Sequence, residues 1–339
     1  MLKKLTEAFG VSGCEKEIRD IIIEEIKKSG AELSIDNMGN LVAFKKAKKE
    51  NAKTVLLSAH MDEVGFIVTD ITEDGYLKFE TVGGIDSRIL ISKRVKVNGR
   101  CGVIGLKPVH LTSKEERKKT PGTRELFVDI GAKNREDAES VVTQGDYFGF
   151  DSEYIEFGEM IKAKALDDRL GCAIMIDILK KEWNVNLVCA FNVQEEVGLR
   201  GARIAAKGVK PDFAIVIEGT TCNDLPNVPQ NLRVTKVGGG AAISVLDSAS
   251  KADSDVCDML IKAAEKRSIP WQYKASTAGG NDAGSISLLD GGIKTASISV
   301  PCRYIHSPVS VMHKADFESC RQIVEGFLAD CGKEQTEND

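Results

Sequence analysis

The stretch KTVLLSAHMDEVGF, residues 53–66, decides how the fold is interpreted. Its first half is a continuous apolar run, which is typical of a strand buried on both faces of a parallel sheet. His60 and two acids, Asp62 and Glu63, follow at the point where this strand should end. The chain has only four histidines. Whether His60 is structural or functional depends on which residues stand at the ends of the neighbouring strands.

The segments on either side of this strand predict an α/β fold. Upstream, isoleucines at helical spacing within 14–30 indicate an amphipathic helix, and 32–46 fits two strands around an Asn-Met-Gly-Asn turn. Downstream of residue 163, strand-like apolar runs alternate with helical runs. Such alternation implies crossover connections, so we predict a mostly parallel sheet with helices on both faces.

The middle of the chain has a different composition. Glycines are frequent there, and short β-type runs such as RVKVNGRCGVIG (94–105) replace the alternating pattern. We therefore predict a smaller β-rich domain, 66–163, inserted into an α/β domain that is formed by 1–65 and 164–332. The last residues, 333–339, are predicted to be a polar tail.

Charge and composition exclude several classes of partner. The net charge of −5 offers no basic surface of the kind that nucleic-acid-binding domains usually carry. No window approaches the roughly 20 apolar residues of a membrane span, and the N-terminal residues lack the apolar core of a signal peptide. Nine scattered cysteines without a C-x-x-C pair argue against a disulfide framework and against a thiolate zinc site. We expect a cytoplasmic protein that binds neither nucleic acid nor a membrane.

Acids and a second histidine stand at the ends of other predicted elements. In open α/β sheets, ligands bind outside the carboxyl ends of the strands. If the predicted strands are parallel, the polar residues at their ends meet at one edge of the sheet. These residues are His60 with Asp62, Glu195 with Glu196, Glu218, His306, and the pair Asp167 and Asp168 before a predicted helix.

Each of these residues alone has a structural interpretation. A histidine at a strand end can be a hydrogen-bonded core residue, an Asp pair can cap a helix, and a Glu pair can begin a solvated loop. Together, however, the carboxylates would repel one another unless cations neutralised them. A metal centre accounts for the whole set.

The ligand types limit the choice of metal. Histidine with Asp and Glu, without nearby cysteine, suits zinc or cobalt, with manganese as a further option. Two histidines and three carboxylates, one of which bridges, supply two sites that would polarise a carbonyl and generate hydroxide at neutral pH. A further carboxylate must then stay uncoordinated as the general base. We predict two divalent metal ions per subunit.

The spacing within residues 60–63 distinguishes the two acids there. Residues i and i+2 point to the same side of an extended strand, so Asp62 can reach behind His60 and fix its tautomer. Glu63 should face away from the metals by the same alternation. We expect a change at Asp62, but not at Glu63, to weaken metal binding.

Six ordered segments of the chain resemble the tetrahedral (TET) dinuclear metallo-aminopeptidases, a family that includes glutamyl and leucyl aminopeptidases. The resemblance covers nearly the whole chain. The segments are AHMDEVGF (59–66), ALDDRLG (165–171), NVQEEVGLRGA (192–202), AIVIEGT (214–220), GGNDAGSI (279–286) and RYIHSPVSV (303–311).

The resemblance implies a role for each site residue. His60 and Glu218 would bind one metal, Glu196 and His306 would bind the second, and Asp167 would bridge the two. Glu195 would be the general base toward a bridging hydroxide, with Asp62 orienting His60 and Asp168 supporting the site across a cis peptide bond. One departure is Glu218, since many members carry Asp there.

The family also implies properties outside the metal site. Its members are aminopeptidases that remove N-terminal residues from short peptides. Their inserted β domain mediates dimerisation, and the dimers assemble into a hollow tetrahedral dodecamer. Gly280 and Asn281 would lie beside the substrate, although Asn281 also suits the cap of the helix that follows it.

Three other functions remain open from the sequence. A related dinuclear carboxypeptidase or deacylase is consistent with Glu218, since such relatives often carry Glu at that ligand. A glycosidase built on paired carboxylates would not need the two histidines. A non-catalytic metal-binding assembly would keep the ligands but lose the general base, and Glu195 is present.

Overall fold

A computed structural model of the chain describes residues 1–333. The predicted polar tail, 333–339, lies outside the described residues except for Lys333, which ends the last helix. The helices are α1 (Leu2–Glu7), α2 (Lys16–Ile26), α3 (Arg135–Glu139), α4 (Leu166–Leu179), α5 (Ala202–Ala205), α6 (Ser254–Lys266), α7 (Ala283–Ile286) and α8 (Lys314–Lys333).

The strands fall into a large sheet, a barrel and a small sheet. In chain order they are β1 (Glu32–Ile35), β2 (Leu41–Lys45), β3 (Thr54–His60), β4 (Gly65–Ile71), β5 (Leu77–Val82), β6 (Arg94–Val97), β7 (Arg100–Gly105), β8 (Phe127–Asp129), β9 (Tyr147–Phe150), β10 (Ile155–Phe157), β11 (Met160–Ala163), β12 (Asn186–Asn192), β13 (Phe213–Thr221), β14 (Ala241–Ser244), β15 (Trp271–Tyr273), β16 (Thr295–Cys302) and β17 (Ser310–His313).

The large sheet has the strand order β1-β2-β12-β3-β13-β16-β14-β15. Its four central strands, β12, β3, β13 and β16, are mutually parallel. The hairpin β1–β2 and strand β14 pair antiparallel with this central group. The predicted α/β fold with a mostly parallel sheet is thus confirmed, and the antiparallel pairing is confined to the flanks.

Helices cover both faces of the large sheet because its strands are apolar on both faces. Val55 and Leu57 of β3 pack into one hydrophobic cluster with α2, α4 and α8, whereas Leu56 packs into a second cluster with α5 and α7. This alternation follows the two-residue period of a strand. Burial on both faces of the sheet therefore explains the continuous apolar run in the first half of residues 53–66.

The β-rich middle of the chain forms a closed six-stranded barrel, β4-β5-β8-β7-β6-β9. Four phenylalanines from β4, β5 and β9 fill its interior, and the rings of Phe66 and Phe148 stack with centroids 4.9 Å apart. Closure removes the sheet edges that would otherwise be open to pairing with another chain. The barrel strands run from Gly65 to Phe150.

The chain leaves the barrel through a hairpin, β10–β11, that belongs to the small sheet. Strand β11 pairs antiparallel with β17, the strand that comes after β16 in the sequence. The pairing ties residues 155–163 to the α/β part, so the last residues of the predicted insert, 66–163, lie outside the barrel. No helix within residues 1–333 is long and apolar enough to span a membrane.

Candidate metal centre

The four parallel strands bring the predicted site residues to one edge of the sheet. Strand β3 ends at His60, which pairs in register with Asn192, the last residue of β12. Glu195 and Glu196 follow Asn192 in the next turn. Glu218 lies inside β13, opposite Ser299 of β16, rather than after the strand as its sequence suggested.

His60 is buried with its two ring nitrogens in different environments. Its Nδ1 donates a hydrogen bond to the backbone carbonyl of Asp62 over 3.0 Å. The other nitrogen, Nε2, lies 3.3 Å from Asp167 Oδ1, 3.7 Å from Glu218 Oε2 and 4.0 Å from Glu195 Oε2. A hydrogen bond of this kind at Nδ1 fixes the tautomer that leaves an Nε2 lone pair for a metal.

His306 has the same arrangement on the other side of the site. Its Nε2 lies 3.2 Å from Glu196 Oε1 and 3.5 Å from Asp167 Oδ2. Its Nδ1 donates to the carbonyl oxygen of Gly84 over 2.8 Å. Gly84 belongs to the loop between β5 and β6, so the barrel part of the chain contributes a contact to the site.

Asp167 lies between the two histidines and turns one carboxylate oxygen toward each. The peptide bond that joins it to Asp168 is cis. The Asp168 carboxylate accepts hydrogen bonds from the backbone N–H groups of His60 and Gly171, at 3.1 Å each. Asp168 therefore ties the end of β3 to the start of α4.

Asp62 has a wider role than its spacing suggested. Its carbonyl, and not its carboxylate, accepts the His60 hydrogen bond, and the carboxylate lies 3.4 Å from Nδ1. The same carboxylate accepts from the backbone N–H groups of Glu195 and Glu196, at 3.0 and 3.1 Å, and from the Ser12 hydroxyl at 2.6 Å. It fixes the turn that carries both glutamates.

Glu63 points away from the metal-site residues, in line with the alternation, but it is not a surface residue. Its carboxylate is buried and lies 2.6 Å from Lys164 Nζ and 3.2 Å from Arg169 Nη2. The Lys164 ammonium and the Arg169 guanidinium also donate to backbone carbonyls of the N-terminal segment, at Ala8 and Leu5. Glu63 thus belongs to a buried ionic cluster beside the site.

Crowding and burial shift the pKa values of the site. Burial disfavours the charged carboxylate and raises the pKa of Glu195, Glu218 and Asp168 well above the usual range. Burial alone would lower the pKa of His306, but Asp167 and Glu196 beside it raise that pKa to about 11. Raised pKa values of both the carboxyl groups and the imidazole indicate that the site has an excess of negative charge.

Two buried oxygens mark where positive charge is missing. Asp167 Oδ1 and Glu218 Oε1 are both shielded from solvent and accept no hydrogen bond. A buried acceptor without a partner costs about 1–3 kcal/mol, so such atoms in a folded protein usually have an unseen ligand. Both oxygens belong to carboxylates that approach His60 Nε2.

The donor set fits divalent metals. Within residues 1–333, three compact groups have ligand atoms that all lie within 4.8 Å of one another, and these are His60–Asp167–Glu196, His60–Glu195–Glu218 and Asp167–Asp168–Glu218. His306 is outside these groups, but its short distances to Glu196 and Asp167 place its Nε2 at the same centre. Imidazole and carboxylate donors without thiolate suit zinc, cobalt or manganese.

An open cleft with a cavity volume of about 130 Å³ leads to this centre. Its lining includes Gly280 and Asn281, the two residues predicted to lie beside the substrate. The Asn281 side chain is already engaged, since its Oδ1 accepts from Ala283 N at 2.9 Å and from Ser297 Oγ at 3.1 Å. The Asn281 side chain is therefore held between the start of α7 and β16, and its contribution to the cleft is mainly one of shape.

Comparisons with known proteins agree with this site. A family model described as M42 glutamyl aminopeptidase matches residues 39–323. The lysyl aminopeptidase of Pyrococcus furiosus is 31% identical over 97% of this chain and 96% of its own length. The glutamyl aminopeptidase of Lactococcus lactis is 30% identical over 98% and 96%, respectively.

Solved structures give the same result. The TET1 peptidase of Pyrococcus horikoshii, which can assemble into a tetrahedron or a large octahedral shell, superimposes with a TM-score of 0.86. It is 35% identical and covers 97% of this chain and 98% of its own. These matches confirm the resemblance to the tetrahedral aminopeptidases. The chain belongs to the M42 glutamyl aminopeptidase family.

Proposed function

We propose that this metal-dependent aminopeptidase removes the N-terminal residue from short peptides at a two-metal centre with Glu195 as the general base. The observation that carries the proposal is the position of Asp167, whose two oxygens face His60 and His306 separately. A carboxylate that lies between two imidazoles in this way suits a bridge between two ions. One of its oxygens is also buried without a partner.

The ligands divide into two sets around Asp167. We assign His60 and Glu218 to one ion and Glu196 and His306 to the other. Two divalent ions so held would polarise the scissile carbonyl and stabilise the negative charge that develops on its oxygen. Zinc and cobalt are our first choices, with manganese as an alternative.

Glu195 is the carboxylate that we leave for proton transfer. Its contact with His60, at 4.0 Å, is the longest of those made by the site carboxylates to that ring. Burial raises its pKa, and a carboxyl group that holds a proton near neutral pH can deliver it to the leaving amine. Glu195 would take that proton from the attacking water.

Three further assignments rest on the family. We propose that the protein acts in the cytoplasm and that 66–163 is a dimerisation domain inserted between 1–65 and 164–332. We also propose that dimers form a tetrahedral dodecamer, as the neighbours that assemble into tetrahedral shells suggest. Size-exclusion chromatography with light scattering distinguishes a dodecamer from a dimer.

Blocked peptides test the direction of cleavage. We expect the metal-loaded protein to release residues stepwise from a peptide with a free N-terminus and an amidated C-terminus. The same peptide with an acetylated N-terminus should stay intact. Cleavage that survives acetylation but not amidation would instead support the second candidate, a carboxypeptidase or deacylase, which Glu218 favours.

A further inference from the structure

The turn that carries Glu195 is held by side chains from other parts of the chain. Four successive backbone N–H groups, those of residues 193–196, donate to them. Asn40 accepts from the first at 2.9 Å, Glu15 from the second at 3.1 Å, and Asp62 from the third and fourth at 3.0 and 3.1 Å. The direction of the Glu195 side chain therefore depends on these acceptors.

Glu15 reaches this turn from the N-terminal segment between α1 and α2. Its side chain is buried, and a single oxygen, Oε1, accepts from the N–H of Gly13 at 2.6 Å and from the N–H of Gln194 at 3.1 Å. Burying a carboxylate is costly unless its oxygens are hydrogen-bonded. The two backbone bonds thus account for the place of this carboxylate in the interior.

A helix cap does not explain Glu15. The residue stands at the N-cap of α2, but its side chain makes no capping hydrogen bond to that helix. Ser, Thr, Asp and Asn are the residues preferred for capping, because their short side chains reach the first turn. The longer Glu15 side chain instead connects the start of α2 with the turn after β12.

The residue that Glu15 holds is the one before the proposed general base. Gln194 has a φ of +58°, in the left-handed region that is unfavourable for residues with a side chain. Without the bond from its N–H to Glu15, the backbone at Gln194 is free to relax toward an ordinary conformation. Such a change would turn Glu195, the next residue, away from its present direction.

We propose that Glu15 is a positioning residue for peptide hydrolysis and that it orients Glu195 through the backbone of Gln194. This inference rests on the proposed aminopeptidase function. Asp62 would still hold the N–H of Glu196, so loss of Glu15 should lower kcat and leave the metal content unchanged. Because a misplacement of about 1 Å can cost about 100-fold in rate, we expect a fall of about 10- to 100-fold.

Two conservative variants separate the reach of Glu15 from its charge. Glu15→Gln keeps an oxygen at the position of Oε1 but loses the charge, whereas Glu15→Asp keeps the charge and withdraws both oxygens by one methylene. The assay uses metal-loaded protein and the most readily cleaved of a panel of amino-acid p-nitroanilides. We expect Glu15→Gln to keep kcat within about threefold of the native value. Glu15→Asp should lower kcat by about 10-fold, with KM and metal content unchanged.

A double-mutant cycle tests whether Glu15 acts through Glu195. Glu15→Met removes both carboxylate oxygens and keeps a side chain of similar length. It should lower kcat by about 10- to 100-fold in the native background. In a Glu195→Ala background it should lower kcat by less than about twofold, because the group that it positions is gone. A purely structural role would lower kcat equally in both backgrounds.

Asp316→Leu is the matched control for Glu15→Met. Asp316 is also a buried carboxylate that accepts two backbone N–H groups, those of Gly238 at 2.7 Å and Gly240 at 2.8 Å. It does not line the cleft. We expect both variants to lower the thermal unfolding temperature, but only Glu15→Met to lower kcat.

Three results would overturn the inference while the aminopeptidase function stands. They are a larger loss of kcat in Glu15→Gln than in Glu15→Asp, an equal loss from Glu15→Met in both backgrounds of the cycle, and a loss in Glu15→Met no greater than in Asp316→Leu. If Glu15→Met does not fold, the contrast between Glu15→Gln and Glu15→Asp decides. Failure of the metal-loaded native protein to cleave any of the p-nitroanilides would instead overturn the proposed function, and this inference with it.

Discussion

The ring of His306 donates a hydrogen bond from Nδ1 to the carbonyl oxygen of Gly84 over 2.8 Å. The two residues are far apart in sequence, and they connect the α/β part of the chain with the loop between β5 and β6 of the barrel. Hydrogen bonds of this kind orient metal-binding imidazoles and strengthen their basicity. The barrel thus helps to position one of the proposed metal ligands.

Gly83, the residue before Gly84, is the place to test this contact. Its φ is +81°, and an added Cβ would lie 2.8 Å from Val64 Cγ1 and 3.3 Å from Glu196 Cβ. Gly83→Ala should therefore displace the loop and weaken the His306 contact. We expect the affinity for one of the two ions to fall by about 10- to 100-fold, as measured by metal titration.

Gly99→Ala is the matched control for this change. Gly99 has a φ of +82°, but an added Cβ would meet nothing within 4 Å. The two substitutions share a strain of about 1–2 kcal/mol for a side chain in the left-handed region, which thermal unfolding can measure. Equal metal affinity in both variants would show that the loop has no part in the site.

Glu195→Ala should separate chemistry from metal binding. As the proposed general base, Glu195 contributes a factor on the order of 10²–10⁴ to turnover. We expect kcat to fall by that factor while the metal content and the oligomer size stay unchanged. Glu196→Ala, one residue later, should instead lower the metal content. Full activity in Glu195→Ala would remove this residue from its role, and an inactive native protein with bound metal would favour a non-catalytic assembly.

The adjacent residues Asp62 and Glu63 should respond in opposite ways. Asp62→Asn changes the carboxylate that holds the Glu195–Glu196 turn, so we expect metal affinity to fall by about 10- to 100-fold. Glu63→Gln removes the anion that faces Lys164 and Arg169. That loss should lower the free energy of unfolding by about 3–5 kcal/mol and leave the metal stoichiometry intact.

Urea unfolding of both variants, together with their metal content, checks this contrast. Unfolding is measured on metal-free protein so that metal binding does not contribute to stability. A loss of metal in Glu63→Gln that exceeds the loss in Asp62→Asn would contradict the assignment of the two acids.

Metal removal should make stability fall as pH rises. The pKa of Glu195 and of Glu218 is raised in the folded protein, and that of His306 is raised to about 11. A group with a raised pKa in the folded state stabilises it below the unfolded pKa, and this stability is lost as pH rises through the folded pKa. For His306 the window runs from its ordinary value, 6.5, up to about 11.

The lowered pKa of Asp167 has the opposite sign, but it acts only at acid pH, below the ordinary value of 3.8. We therefore expect chelator-treated protein to need less urea for unfolding at about pH 9 than at about pH 6. Metal-loaded protein should show a smaller change, because metal binding displaces these protons. If the free energy of unfolding of the metal-free protein instead rose between these two pH values, it would contradict the raised pKa values of Glu195, Glu218 and His306.

The sequence predicted the parts of the site that depend on strand ends. His60 and Glu196 were found because an apolar run stops before each, and parallel pairing then brings the two runs side by side. Glu218 was expected at the end of its strand but lies inside β13. A fully buried strand shows no polar alternation that would mark where it ends. The register with β16, known only from the fold, extends that strand to Thr221.

Contacts made by backbone atoms could not be predicted. The carbonyl of Gly84 and the carbonyl of Asp62 hold the two histidines, and a carbonyl is present at every residue. The only signal for Gly84 was a glycine pair in the middle of the chain. Ser12, which donates to Asp62, likewise precedes the first strand by too great a distance for any local pattern to connect them.

The order of the proposed ligands along the chain also has a consequence for biosynthesis. His60, Asp167 and Glu218 have all left the ribosome before β16 is made, and β3 and β13 are direct neighbours in the sheet. His306, by contrast, follows β16. An ion that meets the growing polypeptide would therefore find one complete set of donors during translation, while the other set exists only when synthesis is nearly finished.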